Sequence, residues 1–552
     1  MREFVIYFIC VVISILLGIS ILQSSMFVSL ILFLFLAIGF MKFKSCFKIK
    51  FLAIAFMIFA LFNTINYYSL NEKMFSSVNF RIQKKIGNDL VVSNNFKKFI
   101  IKDFQNENFE DGLILNLSGK FKNSRYYDVG IVGEIKDFKI NNFKSDFFHK
   151  FIRVKNVLKN YFVGEFGEKN GNILSGLILG DLDSEFKKEF KSLGIVHILS
   201  ISGFHINLVF GFLSKLFSYL PSIIVLFLYL IFTGTKVSGI RAFTMIFLKE
   251  FSPRVYRTYD ALNALFFSCT LILLMRPYEI FNLGFIYTFA STLGILMFNS
   301  KIRNYFYKIP SLIGDSLSIL ISAQIFILPL SILIERKLNL QFILSNILLI
   351  PFYTIIIILG FILIFASVVP IVREICIYLI KLNFDIIDGG IIFIKSLLPS
   401  EIYLSYGLIT IIICFYVIYF MLFKIPYKIK RSLVVYLVLV GIYFNVSLSM
   451  TVEFGNYFGK NYVILRSENK SVVCVDKNLK NDVDIKSKLF VDKVLSGKNC
   501  REINFSGIKF SIDFKDDKVL FGFNDREVEF LNNQSEVKYY SNYHPQKYYF
   551  IF

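Results

Sequence analysis

The densest group of polar side chains inside apolar sequence runs through residues 194–212, GIVHILSISGFHINLVFGF, and holds His197, Ser200, Ser202, Gly203 and His205. Imidazoles and hydroxyls this close can do three things. They can line a hydrated path, act as nucleophile and base, or hydrogen-bond between packed helices. Ionisable groups within apolar segments are costly and usually face a cavity or a partner. On one continuous helix, His197 and Ser200 stand about 60° apart and His205 about 80° from His197, so all three share one broad face. Gly203 permits a break, which is tolerated at membrane depth where it lines protein or water. Arg241 lies inside another apolar run and either meets an anion, forms an intramembrane ion pair, or snorkels to an interface. Asp181, at a junction between amphipathic segments, lines the same path or caps the helix beginning near Ser184.

The surrounding sequence places these residues in a bilayer. Of 552 residues 55% are hydrophobic and only 18% charged, with mean hydropathy +0.61. Soluble domains carry about a quarter charged residues, so a soluble globular chain is excluded. Apolar segments at 4–22, 26–41 and 49–66 are followed by others near 195–218, 222–234, 237–250, 261–275, 280–298, 311–334, 342–369, 374–396, 404–423 and 432–449, several of them short or interrupted. A spanning helix needs roughly 20 apolar residues, which gives eight to eleven spans. Basic loops, Lys42 to Lys50 and Lys424 to Arg431, mark cytoplasmic faces by the positive-inside rule. The N-terminus is then inside, with residues 70–150 and 451–552 outside.

Four regions follow: N-terminal membrane helices (1–69), a polar β domain (70–150), a membrane domain with amphipathic helices (151–450) and a tail (451–552). The first polar region alternates apolar and polar residues between glycines, as a small β domain does. Its segment Gly-Lys-Phe-Lys-Asn-Ser-Arg-Tyr-Tyr carries Lys120, Lys122, Arg125 and Tyr126. Basic and aromatic residues on a β barrel can bind single-stranded nucleic acid; an ordinary solvated basic face is the alternative. Residues 151–192 read as interfacial amphipathic helices.

Residues 175–211, SGLILGDLDSEFKKEFKSLGIVHILSISGFHINLVFG, resemble the ComEC family of bacterial competence proteins, whose pattern is Gly-Asp, an amphipathic helix, then His-Leu-x-x-Ser-Gly-Leu-His. Matches continue in order through GIRAFTMIFLKEF at 239–251 and DALNALFFSCTLILLMRPYEIFNLGFIYTFASTLGIL at 260–296, and on through the Gln/Pro helix and Asn-containing segment that follow. Arg276 stands where Asp often precedes Pro277, Ile286-Tyr287 replaces Gln-Leu, and Ser345 replaces Ala.

The resemblance implies a polytopic α-helical membrane protein with an external OB-like β domain and a short α/β or β tail. It implies a channel for single-stranded DNA in the cytoplasmic membrane, with His197, Ser200, Ser202, Gly203, His205, Arg241 and Asp181 along the DNA path. The implied partners are single-stranded DNA, membrane lipid, a DNA receptor, a cytosolic helicase or translocase, and a second copy of the chain. An intramembrane serine hydrolase using Ser202 and a histidine, or a transporter of lipid or small solutes, are the alternatives.

Long members of the family carry a metallo-β-lactamase-like nuclease domain, whose His-x-His-x-Asp-His motif needs several histidines. This chain has four, His149, His197, His205 and His544, of which one lies in the tail. The tail therefore reads as a shortened, metal-free relative of that domain, with Gly455, Gly459 and Lys460 in altered turn positions; no enzyme and no cofactor are expected. Cys474 and Cys500 either pair, if the tail faces an oxidising compartment, or remain thiols.

Overall fold

The computed structural model describes residues 3–23, 47–104, 111–199, 203–398, 401–403, 416 and the strands of 451–531, with short gaps inside these ranges. The segments 26–41, 404–423 (Tyr416 excepted) and 432–449, the basic loop 424–431, Asp181, Ser200, Ser202 and His544 lie outside the described residues. The chain divides into two units, residues 1–324 with 341–398, and residues 325–340 with 399–552.

In the first unit, helices α1 (Glu3–Leu22) and α2 (Phe47–Tyr68) lead into a closed barrel. Its strands are β1 (Met74–Ile86), β2 (Asp89–Asn94), β3 (Lys97–Ile101), β4 (Ile114–Tyr126) and β5 (Ile131–Lys144), in the order β1-β2-β3-β5-β4. All pairs are antiparallel except β3 with β5. Alternation turns Phe80, Ile82, Val92, Phe99, Leu115 and Leu117 inward, each at most 4% exposed. The barrel is seated on the helices. Tyr67 and Tyr68 donate hydroxyls to the carbonyls of Gly130 (2.8 Å) and Tyr127 (3.1 Å), and Lys98 Nζ lies 4.0 Å from the centroid of the Tyr278 ring. Gly130, at φ 78°, is required there because a Cβ would stand 2.4 Å from Tyr278.

Helix α3 (Phe147–Leu179) starts at an Asp146 cap, which accepts from the His149 amide at 3.0 Å, and is broken at Gly167 (φ 79°, ψ 171°). The chain folds back there: a Cβ on Gly171 would lie 2.5 Å from the Cα of Val163. Gly171 to Leu179 are all buried and pack against later helices. This half of 151–192 is therefore core, not an interfacial surface. The run is too short to read as a span in sequence, and only the hairpin gives it apolar neighbours.

The chain continues through α4 (Ser184–Ser192), α5 (Val196–Leu199), α6 (Gly203–Leu216), α7 (Tyr219–Phe232), α8 (Val237–Phe251), α9 (Ala261–Met275), α10 (Leu283–Tyr305), α11 (Ser311–Glu335), α12 (Phe342–Ala366) and α13 (Pro370–Leu397). Six segments among the described residues are long and apolar enough to cross a membrane: Phe4–Leu22, Ile49–Tyr68, Val196–Leu216, Leu283–Tyr305, Ile313–Ile334 and Phe342–Phe365. The segment read as a span at 374–396 is not among them. Its helix α13 carries charges at Arg373, Glu374, Lys381, Asp385, Asp388 and Lys395. Three of these pair across to α3 and α4, as Arg373–Glu165 (3.5 Å), Asp388–Lys169 (2.8 Å) and Lys395–Glu189 (2.8 Å). The expectation of a polytopic α-helical membrane protein with a small β domain thus stands.

In the second unit, β6 (Lys337–Asn339) pairs with β7 (Glu401–Tyr403). The tail holds two four-stranded sheets. The first has the order β11-β10-β9-β8, from β8 (Thr451–Tyr457), β9 (Lys460–Ser467), β10 (Lys470–Val475) and β11 (Lys493–Ser496). The second is an antiparallel meander of β12 (Glu502–Phe505), β13 (Ile508–Lys515), β14 (Lys518–Phe523) and β15 (Arg526–Leu531). Of the altered turn positions, Gly455 sits within the β8–β9 ladder opposite Tyr462 instead of in a turn, Lys460 opens β9, and Gly459 lies outside the described residues. Cys474 and Cys500 are both buried as thiols.

Candidate functional site

His197 stands in α5 and His205 is fully buried in α6, with 200–202 between them outside the described residues. The two helices belong to Val196–Leu216, one segment long and apolar enough to cross a membrane.

Gly203 and Arg241 are brought together. Arg241 stands one turn into α8, and its Nη2 would lie 2.9 Å from a Cβ on Gly203, with the Ala242 Cβ at 3.6 Å. The glycine is buried, and it lets the guanidinium lie directly against the first turn of α6. The other terminal nitrogen of Arg241, Nη1, donates to Thr292 Oγ1 of α10. That hydroxyl in turn donates to the Thr288 carbonyl at 2.8 Å. Nε is buried with no hydrogen-bond partner, and no carboxylate pairs with the guanidinium, among the described residues.

Arg241 is thus a buried cation with a hydroxyl partner and no neutralising carboxylate among the described residues. An anion brought against it would be attracted. Thr292 was not legible as a partner: it sits in an ordinary apolar helix, and only the packing of α10 against α8 brings it to Arg241.

Lys236, just before α8, donates to the Gly180 carbonyl at 2.5 Å, and Arg276 donates to the Thr235 carbonyl at 3.1 Å. Gln341, Ser345 and Asn346 are buried, and Gln341 Oε1 and Ser345 Oγ have no hydrogen-bond partner among the described residues.

On the barrel, Lys120 and Lys122 point outward from β4 and are exposed, as is Tyr126. Lys120 stands 3.7 Å from Asp137, an exposed pair of little energetic weight. Arg125 is turned away from this face: its Nη1 donates to the Leu22 carbonyl at 3.5 Å, where a cation complements the C-terminus of α1. A concavity of about 410 Å³ opens at the barrel rim, lined by Ser69, Leu70, Met74, Lys97 and the rings of Phe75, Phe99 and Phe121. Among the described residues no group of three or more His, Cys, Asp or Glu could hold a metal ion.

Residues 177–428, which contain the Gly203–Arg241–Thr292 contact, match the family model described as competence protein. ComE operon protein 3 of Bacillus subtilis (strain 168) is 27% identical over 200 residues, covering 34% of this chain and 25% of that protein. An uncharacterised protein of Aquifex aeolicus is 34% identical over 122 residues, 21% of this chain and 30% of its own length. The uncharacterised MG316 homologue of Mycoplasma pneumoniae is 28% identical over 165 residues, 29% of this chain and 42% of its own length. The chain therefore spans between a quarter and about two-fifths of these relatives. No solved structure matches it. Across residues 177–428 this chain carries a domain of the competence protein family.

Proposed function

We propose that the chain is a channel that passes single-stranded DNA across the cytoplasmic membrane during DNA uptake. The carrying observation is the buried Arg241 guanidinium against Gly203, with no carboxylate partner among the described residues. A phosphodiester backbone supplies the anion this arrangement lacks, and a forked guanidinium suits phosphate oxygens. The competence-protein domain over residues 177–428 supports a place in DNA uptake.

The orientation has an internal support. Helices α1, α2 and α9 run towards the barrel, and α8 and α10 run away from it. At the far ends stand three basic groups: Lys48 and Lys50; Lys249, Arg254 and Arg257; and Lys301, Arg303 and Lys308. The positive-inside rule makes that end cytoplasmic and puts the barrel outside.

The barrel's strand order, with β3 parallel to β5, favours an OB-like domain whose Lys120, Lys122 and Tyr126 meet incoming DNA. Energy for transport comes from a cytosolic helicase or translocase, since the sequence has no Gly-x-x-x-x-Gly-Lys-Ser/Thr motif. A surface receptor delivers the DNA, and the channel assembles with a second copy. The tail is a metal-free relative of the β-lactamase-like domain and does not cleave DNA, because it holds one histidine. Manganese-stimulated cleavage by the purified full-length protein, lost on deleting residues 451–552, would contradict this.

The test is transport of labelled DNA into a nuclease-protected cytosolic pool. His205→Ala is expected to abolish the protected pool while surface-bound DNA stays at the parental level. Unchanged protection would remove this buried histidine from the path. Equal protection in cells lacking the chain altogether, in a transformable strain, would reject the channel.

A further inference from the structure

The β2–β3 hairpin turns on Asn95 and Phe96, at φ 45° and 66°. A two-residue turn with both φ values positive is the work of Asn-Gly or Gly-Gly. Asn tolerates this region, whereas a bulky aromatic is an outlier there. Phe96 is also 91% exposed, so no packing within the chain accounts for it. Backbone strain of this kind marks sites where a contact outside the fold is served.

The surroundings of the turn say what that contact is. Lys97, the next residue, donates from Nζ to the Ser69 carbonyl at 2.9 Å. Ser69 directly follows Tyr68, the last residue of the span Ile49–Tyr68. The hairpin tip is therefore held at the depth where a span leaves the hydrocarbon. Tyr67, Tyr68, Tyr127 and Tyr278 cluster at the same level, with ring centroids 5.0 Å apart for Tyr67–Tyr68, 5.4 Å for Tyr67–Tyr278 and 4.8 Å for Tyr68–Tyr127. Tyrosines gather where a chain crosses the membrane–water boundary. Met74, on the rim of the same concavity as Lys97, is 72% exposed.

We propose that Phe96, with Met74 on the rim of the concavity that Lys97 lines, inserts into the interfacial layer of the bilayer and seats the barrel on lipid. Lys97 and Lys98 follow the inserted ring, each with its ammonium turned to a backbone carbonyl. Desolvation holds both lysines below their ordinary pKa, as expected for amines withdrawn from bulk water. The barrel is thereby fixed at two places, by the Tyr67–Gly130 and Lys98–Tyr278 contacts to protein and by Phe96 to lipid.

The chain contains no tryptophan, so Phe96→Trp makes a full-length protein with a single reporter. In phosphatidylcholine–phosphatidylglycerol vesicles, lipids brominated high on the acyl chain should quench the indole at least about twofold. Aqueous iodide should quench it several-fold less than N-acetyltryptophanamide. Iodide quenching equal to the free indole, with no effect of bromolipid, would overturn the proposal. So would a bromolipid-insensitive indole quenched on adding a deoxythymidine oligomer, which would give this surface to nucleic acid. If Phe96→Trp does not accumulate, Met74→Trp answers the same question by the same two quenchers.

Discussion

Arg241→Gln should lower transport of DNA into the protected cytosolic pool by about 10- to 100-fold, the range expected when a charge-assisted hydrogen bond of about 1.5–3 kcal/mol is lost. Surface-bound DNA should not change, because the residue lies in the bundle and not on the barrel. Arg241→Lys keeps the charge but loses the fork, so it should fall between parent and glutamine variant. The glycine opposite supplies an independent probe. In Gly203→Ala the new Cβ meets Arg241 Nη2 at 2.9 Å, and that atom is the end of a flexible side chain. The protein should fold and the guanidinium should be displaced, with transport reduced without loss of the protein from the membrane. Parental transport in both Arg241→Gln and Gly203→Ala would take this contact out of the mechanism, leaving the buried guanidinium without a ligand.

The second large effect is structural. Gly171→Val should destroy the hairpin of α3, because its Cβ would stand 2.5 Å from the Val163 Cα and 2.6 Å from the Phe162 carbonyl oxygen. Overpacking of side chains costs about 1–3 kcal/mol, and backbone atoms cannot move aside as side chains do, so the cost here lies at or above that range. The readout is the yield of monodisperse protein in detergent, with Gly171→Ala failing in the same direction. Gly164 is the internal control: it lies on the same helix with nothing within 4 Å of its Cβ position. Gly164→Ala should be neutral or stabilising by about 0.5–1 kcal/mol, as replacing a helical glycine generally is. Equal losses at positions 164 and 171 would mean that the fold-back is not what these glycines serve.

The sequence alone determined a great deal that depends on local pattern. Apolar runs of about 20 residues have one stable solution in lipid, a helix, so α1, α2, α10, α11 and α12 were legible from composition. Alternation between glycines was enough to place a β domain within 70–150, because a strand's faces repeat every two residues. It also marked Gly203, His205 and Arg241 as unusual, since charged and imidazole side chains stand out in apolar sequence.

Tertiary structure decided what those residues meet. Arg125 counted as a DNA-facing cation until the barrel's placement turned it onto the end of α1. Residues 171–179 looked like surface because burial there comes from a fold-back at Gly167 and not from any periodicity. Thr292 had no signal at all. Nearest neighbours along a helix are fixed by 3.6-residue geometry, but contacts across 51 positions, such as Arg241 with Thr292, are fixed only when helices pack.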